Sequence, residues 1–264
     1  MIICHPLKLI FIKTKKVGGT SFEIALSSLC DDDSVITPIS PGDEALRQAI
    51  GIPGPQNCAS PVWRDKGGKE YWQSSGIFFN HISAPRAKKL IPPDVWNSYR
   101  KITIWRDPFD VAISRYYWQG GPAIGMNFGE FVDRHRGFLR ENAKIAPFTG
   151  EAALDDYLRY ESIAEHIEEL QVPGLRELFQ ALSAKGNIRP KQGTSVAETY
   201  AMFPKAAAII AEECRDEIDF FGYQNPLFRR MSPTRLTKKG QNSCLSSYFP
   251  WQQAGLAAHG LPIS

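Results

Sequence analysis

An α/β fold, with a central parallel β-sheet flanked by helices on both faces, is what this sequence predicts, and three observations predict it. Short apolar, β-branched runs alternate with stretches of helical periodicity. Two of those runs stop at a step that opens a helix: a double glycine in one case and an Asp-Pro pair in the other. Finally, 264 residues with 43% hydrophobic and 22% charged side chains have the make-up of a globular chain with a sizeable core. One domain over residues 1–264 is expected.

Leu7 to Thr14 reads as a buried strand that Lys15-Lys16-Val17-Gly18-Gly19 breaks. A helix follows, because Phe22, Ala25, Leu26 and Leu29 fall at i, i+3, i+4 and i+7, and Thr20 with Glu23 has the spacing of a T-x-x-E capping box. Residues 31–75 are rich in Pro, Gly and Asp and read as a long loop with one short helix near Glu44 to Ile50; loops of this length usually serve function. GIFFNHIS, residues 76–83, is predicted as a second strand, with a short helix at Ala84 to Leu90 behind it, and YRKITIW, residues 99–105, as the third and clearest strand. Asp107 as N-cap and Pro108 at the first helical position then start a helix to about Trp118. Further helices are predicted at 128–136, 162–170, 175–182 and 197–214, with a strand at 156–161. An acid-free basic run holds Arg229, Arg230, Arg235, Lys238 and Lys239, and residues 241–264 carry no charged residue at all.

The net charge of +3, from 31 Lys and Arg against 28 Asp and Glu, suits an anionic small molecule better than a nucleic acid, which asks for a denser basic stripe. Cys4, Cys30, Cys58, Cys214 and Cys244 are widely spaced, with no CxxC pair and no metal-ligand spacing, and read as free thiols in a reducing compartment. MIICHPLKLIFIK is too short and interrupted for a signal peptide, and no apolar run is long enough to span a bilayer, so a cytoplasmic location is expected.

The chemistry concentrates in two segments. Lys13 to Ser21 lies where a strand meets a helix N-terminus, whose free N–H groups and dipole attract anions. A Walker A loop would place lysine directly after its second glycine; here Thr20 follows Gly19, and the lysines precede the glycines. Arg106 to Ser114 also follows a strand, so two anion-binding edges would face one crevice. Arg106 offers a planar donor fork, and Ser114 shares a helical face with Asp107, seven residues earlier.

The two segments, KKVGGTS (Lys15 to Ser21) and RDPFDVAIS (Arg106 to Ser114), taken in order resemble those of sulfotransferases that use 3′-phosphoadenosine-5′-phosphosulfate (PAPS), especially the carbohydrate branch with the heparan sulfate enzymes and their bacterial relatives. The resemblance implies a P-loop NTPase-like fold and direct sulfuryl transfer without a metal. By the same resemblance, the loop of Lys15, Lys16, Val17, Gly18, Gly19, Thr20 and Ser21 binds the 5′-phosphosulfate, with Lys16 on the bridging oxygen and sulfonate and Gly18 to Ser21 on the 5′-phosphate, and Arg106 with Ser114 binds the 3′-phosphate. Lys15 and Val17 stand where the family often has proline and threonine. Asp216 to Tyr223 and Asp156 to Glu161 resemble weaker family segments, and Arg189 with Lys191 lies where members often place a basic loop over the nucleotide.

For the base that takes the acceptor proton the choice is His81, at the end of the second strand, whose unperturbed pKa of about 6.5 suits proton transfer near neutrality. His5, His135, His166 and His259 have no such placement. The expected acceptor is a hydroxyl on a glycan or glycolipid, with Trp63, Arg64, Trp72, Tyr116, Tyr117 and Trp118 as stacking and anion-contacting candidates. A P-loop kinase using ATP and a non-catalytic nucleotide-binding protein share the expected fold and stand as alternatives.

Overall fold

The computed structural model describes residues 1–58, 77–182 and 194–228, with the backbone of two short strands at 62–64 and 70–72. These residues belong to one compact unit, Met1–Arg229. Arg189, Lys191, the basic run from Arg229 on, the charge-free tail and the side chains of Trp63, Arg64 and Trp72 lie outside the described residues.

The architecture is α/β, a mixed five-stranded sheet flanked by helices. Strands β1 (Ile2–Cys4), β2 (Leu9–Phe11) and β3 (Val35–Ile36) join β6 (Arg100–Trp105) and β7 (Asp156–Arg159) in the order β3-β1-β2-β6-β7, while β4 (Val62–Arg64) and β5 (Glu70–Trp72) pair as a separate ribbon. β2, β6 and β7 are parallel, with Leu9 opposite Arg100 and Ile102 opposite Asp156. β1 runs antiparallel to both its neighbours, which corrects the expected all-parallel sheet. Only His5 to Lys8 connect β1 to β2, far too few residues for the crossover that parallel neighbours need.

Pleating sends alternate β2 side chains to opposite faces. Leu9 and Phe11 join a core with Phe22 of helix α1 (Gly19–Ser27), backed by α8 (Ile163–Glu169) and α9 (Leu175–Leu182). Ile10 and Ile12 join another, lined by α3 (Ala84–Leu90), α4 (Pro93–Ser98), α7 (Glu141–Ile145) and α12 (Arg215–Phe221). A third cluster packs α5 (Pro108–Trp118) against α6 (Phe128–Arg134), α10 (Val196–Met202) and α11 (Pro204–Glu213). Helix α2 (Pro41–Ala49), β3 and the β4–β5 ribbon occupy the stretch read as a long loop.

Three further expectations are corrected. GIFFNHIS is not a strand over its described residues: Phe78 donates its N–H to the Cys58 carbonyl, Ile82 to that of Phe79, and His81 adopts a left-handed φ of 61°. Its apolar side chains still reach the core, so the composition of a strand is met without a ladder. Thr20 and Glu23 do not form a capping box: Gly18 is the N-cap, without a side-chain hydrogen bond, and Glu23 is drawn inward by Lys13. The helix read over 197–214 is two, because Pro204 cannot continue α10 and instead starts α11.

Glu217 of α12 is 6% exposed, and burial pushes its carboxyl up to about 8, against the pull of the nearby Trp105 indole and with help from the Asp107 charge. The unfolded chain loses this proton near the ordinary value of 4.5, and the folded one near 8, so stability falls as pH rises through that window. Glu217→Gln is expected to flatten this slope. Urea midpoints measured across that range check it, and an unaltered slope would count against a buried neutral Glu217.

Candidate functional site

The segment from Lys13 to Ser21 leaves the carboxyl end of β2 and enters α1, tied down from several sides. Thr14 Oγ1 donates to the Ile104 carbonyl on β6 at 2.6 Å. Asn142 brackets Lys15, accepting its N–H at 2.8 Å and donating to its carbonyl at 3.0 Å. Arg106 Nη1 donates to the Lys16 carbonyl at 2.8 Å. The His81 ring nitrogen Nδ1 lies 2.9 Å from the Lys13 carbonyl, an acceptor, which makes Nδ1 the protonated nitrogen and leaves Nε2 able to accept. Residues from three other regions of the chain thus converge on one turn.

Gly18 has φ 73°, and a Cβ there would sit 3.1 Å from the Tyr160 ring, so any other side chain at this position is strained. Tyr160 serves twice, since the Arg106 guanidinium lies over its ring at 4.1 Å. Lys16 is left-handed too, with φ 64°. Non-glycine residues in this region are uncommon and cluster at functional sites; His81 is another.

Lys16 is half-buried, and its Nζ lies 5.0 Å from the centre of the Trp118 ring. Burial, and then the charges of Arg106 and Arg115, lower its pKa to about 8. Among the described residues no carboxylate and no hydrogen bond holds this ammonium. A lysine set among like charges and, among the described residues, without a counter-ion is suited to an anion.

No protein-family model, curated protein or solved structure matches this chain.

The other expected site residues fall into distinct surroundings. Val17 is buried in the core, so its side chain anchors the loop where the resembling family often has a threonine hydroxyl. Ser21 Oγ donates to the Leu182 carbonyl at 3.1 Å and joins α1 to α9. Thr20 and Gly19 open α1, where first-turn N–H groups are left without helical acceptors. Lys15 Nζ pairs with Glu141 at 3.1 Å. Arg106 donates to Asp110 Oδ2 through Nε and Nη2, at 2.8 and 2.5 Å, so part of its fork is engaged. Asp107 caps α5, accepting the Phe109 N–H at 2.9 Å, and its own N–H reaches Glu161 at 2.7 Å. Ser114 lies half-buried on α5.

His81 differs from expectation in its titration as well as its backbone. Burial, then the Lys13 charge, lowers its pKa from 6.5 to about 3, so the ring is neutral at pH 7. Of the aromatic candidates, Tyr116 is core, with its hydroxyl donating to the Met126 carbonyl at 2.7 Å. Tyr117 lines a cavity of about 140 Å³ with Ile113, Phe128, Thr194 and Phe203, which neither Lys16, Arg106 nor His81 lines. Trp118 is 55% exposed beside Lys16. The sequence reading did not single out Asn142, Glu141, Tyr160 or Arg115. Only tertiary contact reveals them, although YE in Asp156 to Glu161 was a partial signal for Tyr160.

Proposed function

We propose that this chain is a sulfotransferase, moving the sulfuryl group of PAPS to a hydroxyl of a glycan or glycolipid on a P-loop NTPase-like scaffold. The observation that carries this reading is Lys16, a half-buried ammonium with no carboxylate partner among the described residues, at a braced strand-to-helix turn, with Arg106 at the end of the adjacent parallel strand. KKVGGTS and RDPFDVAIS supply the motif order, and the geometry brings both to the same edge of the sheet.

In this reading the acceptor oxygen forms a new bond to sulfur while the bond from sulfur to the bridging oxygen breaks. The electron pair stays with the 5′-phosphate, and the acceptor proton passes to His81 Nε2. Lys16 stabilises charge on the sulfonate and the departing oxygen, and the first-turn N–H groups of α1 face the 5′-phosphate. A pKa near 3 makes a weak base, but the negative donor offsets the Lys13 charge that helps depress it and so raises it on binding. Sulfonate bears less charge than a terminal phosphoryl group, so a lysine suffices where kinases use a metal. The chain also lacks the lysine a Walker A loop places after its second glycine.

A binding-only nucleotide site is favoured by one observation, the burial that lowers the pKa of His81, the proposed base, to about 3. Thermal-shift titration addresses both readings. 3′,5′-ADP is expected to raise the melting temperature with or without magnesium, by up to about 2.7 kcal/mol of apparent stability at a hundredfold excess over Kd, and Arg106→Ala to lose most of the gain. Selective stabilisation by Mg-ATP would refute the proposal in favour of a kinase, and binding without turnover of PAPS would favour the binding-only site.

A further inference from the structure

We propose that Lys16 and Arg115, set about the Trp118 ring, form the oxyanion site that receives the group in transfer, with Glu141 as the internal counter-ion that yields Arg115 to the arriving anion. The sulfuryl-transfer reading identifies the group; the existence of the site stands on the geometry alone.

Arg115 lies on α5, three residues before Trp118, and its guanidinium carbon is 5.3 Å from the centre of the ring that Lys16 Nζ approaches at 5.0 Å. It is 15% exposed. Its Nε is buried without a hydrogen-bond partner, and among the described residues no hydrogen bond holds the guanidinium at all. The nearest carboxylate is Glu141, whose Oε2 lies 3.6 Å from Arg115 Nη1, beyond a good hydrogen bond, and 3.1 Å from Lys15 Nζ. Arg106 is the contrast, with Asp110 and the Lys16 carbonyl already on its donors. Among the described residues, the side-chain cations of this region without a hydrogen bond are therefore Lys16 and Arg115.

A planar donor fork and an ammonium beside one ring suit a compact oxyanion such as sulfate, sulfonate or phosphate. Arg115 acts without covalent change: the bond from sulfur to the leaving oxygen breaks onto that oxygen, the acceptor oxygen takes its place on sulfur, and the proton goes to His81. Glu141, shared with Lys15, keeps Arg115 from standing as a bare cation in the free site.

The probe is inorganic sulfate, titrated into the full chain by calorimetry. Arg115→Ala is expected to weaken sulfate binding at least about tenfold, the loss of one charge-assisted contact, and Arg115→Lys to weaken it less. Glu141→Gln is expected to tighten it several-fold, a gain that a merely structural Glu141 would not give. Far-UV circular dichroism checks each fold, and if Arg115→Ala does not fold, Arg115→Lys and Glu141→Gln decide. A wild type that binds no sulfate, an unchanged affinity in folded Arg115→Ala, or weaker binding in Glu141→Gln overturns the site. Sulfate binding that depends on Arg115 without selectivity for 3′,5′-ADP would sink the sulfotransferase reading and leave the oxyanion site standing; selective 3′,5′-ADP binding indifferent to Arg115 does the reverse.

Discussion

Lys16→Ala is expected to lower sulfuryl transfer by about two to three orders of magnitude, the usual cost of removing one preorganised group from a developing charge. The fold should survive, because Lys16 makes no ion pair among the described residues and sits among like charges. The sign of its titration supports this. A folded pKa near 8 against an ordinary 10.5 means that the unfolded chain holds more protons between those values, so stability rises with pH across that window. The penalty of burial, joined by the like charges of Arg106 and Arg115, operates below it, at neutral pH. Removing the ammonium therefore leaves the melting temperature level or higher while turnover collapses. Product 3′,5′-ADP release and a thermal melt, run on the same preparation, test the two halves; full turnover in a folded variant would remove Lys16 from the mechanism.

The largest stability effect is expected at Glu23. Its carboxylate is fully buried, 2.7 Å from Lys13 Nζ and 2.6 Å from the Met1 amine. Burial alone would raise its pKa, but Lys13 and the amine outweigh that and hold it down to about 2. Glu23→Ala strands the buried Lys13 ammonium, leaves the Met1 amine without its partner and should cost about 3–5 kcal/mol, visible as a lower urea midpoint. The same pair makes the protein acid-sensitive: the contribution is present above the ordinary value of 4.5 and is lost as pH falls toward 2. Because Lys13 also carries the carbonyl that orients His81, the variant should lose activity along with stability. A midpoint unchanged from wild type would show that the pair contributes nothing net.

The sequence made legible those parts of the fold with strong local signals. Asp107 followed by Pro108 marked the start of α5, and the β-branched run before it marked β6. Where tertiary packing overrode local preference, the reading failed. Thr20 and Glu23 had the spacing of a cap, but a buried Lys13 competed for the carboxylate and won. GIFFNHIS had the composition of a strand, yet Phe78 spends its N–H on the distant Cys58 carbonyl and Ile82 spends its own on a turn to Phe79. β1 is three residues long and owes its place to pairing with β2 and β3, which no local window contains.

The candidate site divides the same way. Lys16, Arg106 and His81 were named from motifs and do meet around one turn. Arg115 was passed over because on α5 alone it reads as a solvated charge; its meaning comes from Trp118, Lys16 and a carboxylate on α7. His81 was chosen for a pKa that its surroundings then changed.

The bracket that Asn142 places on both sides of the Lys15 peptide has a consequence for timing. A free loop of this kind would have to be ordered by its ligand, at about 1–2 kcal/mol of entropy for each residue fixed. Here Asn142, Arg106, Thr14 and Tyr160 impose that order during folding. Capture of the proposed ligand would then need no loop rearrangement, and its observed rate is expected to climb in proportion to concentration instead of levelling at the speed of an isomerisation.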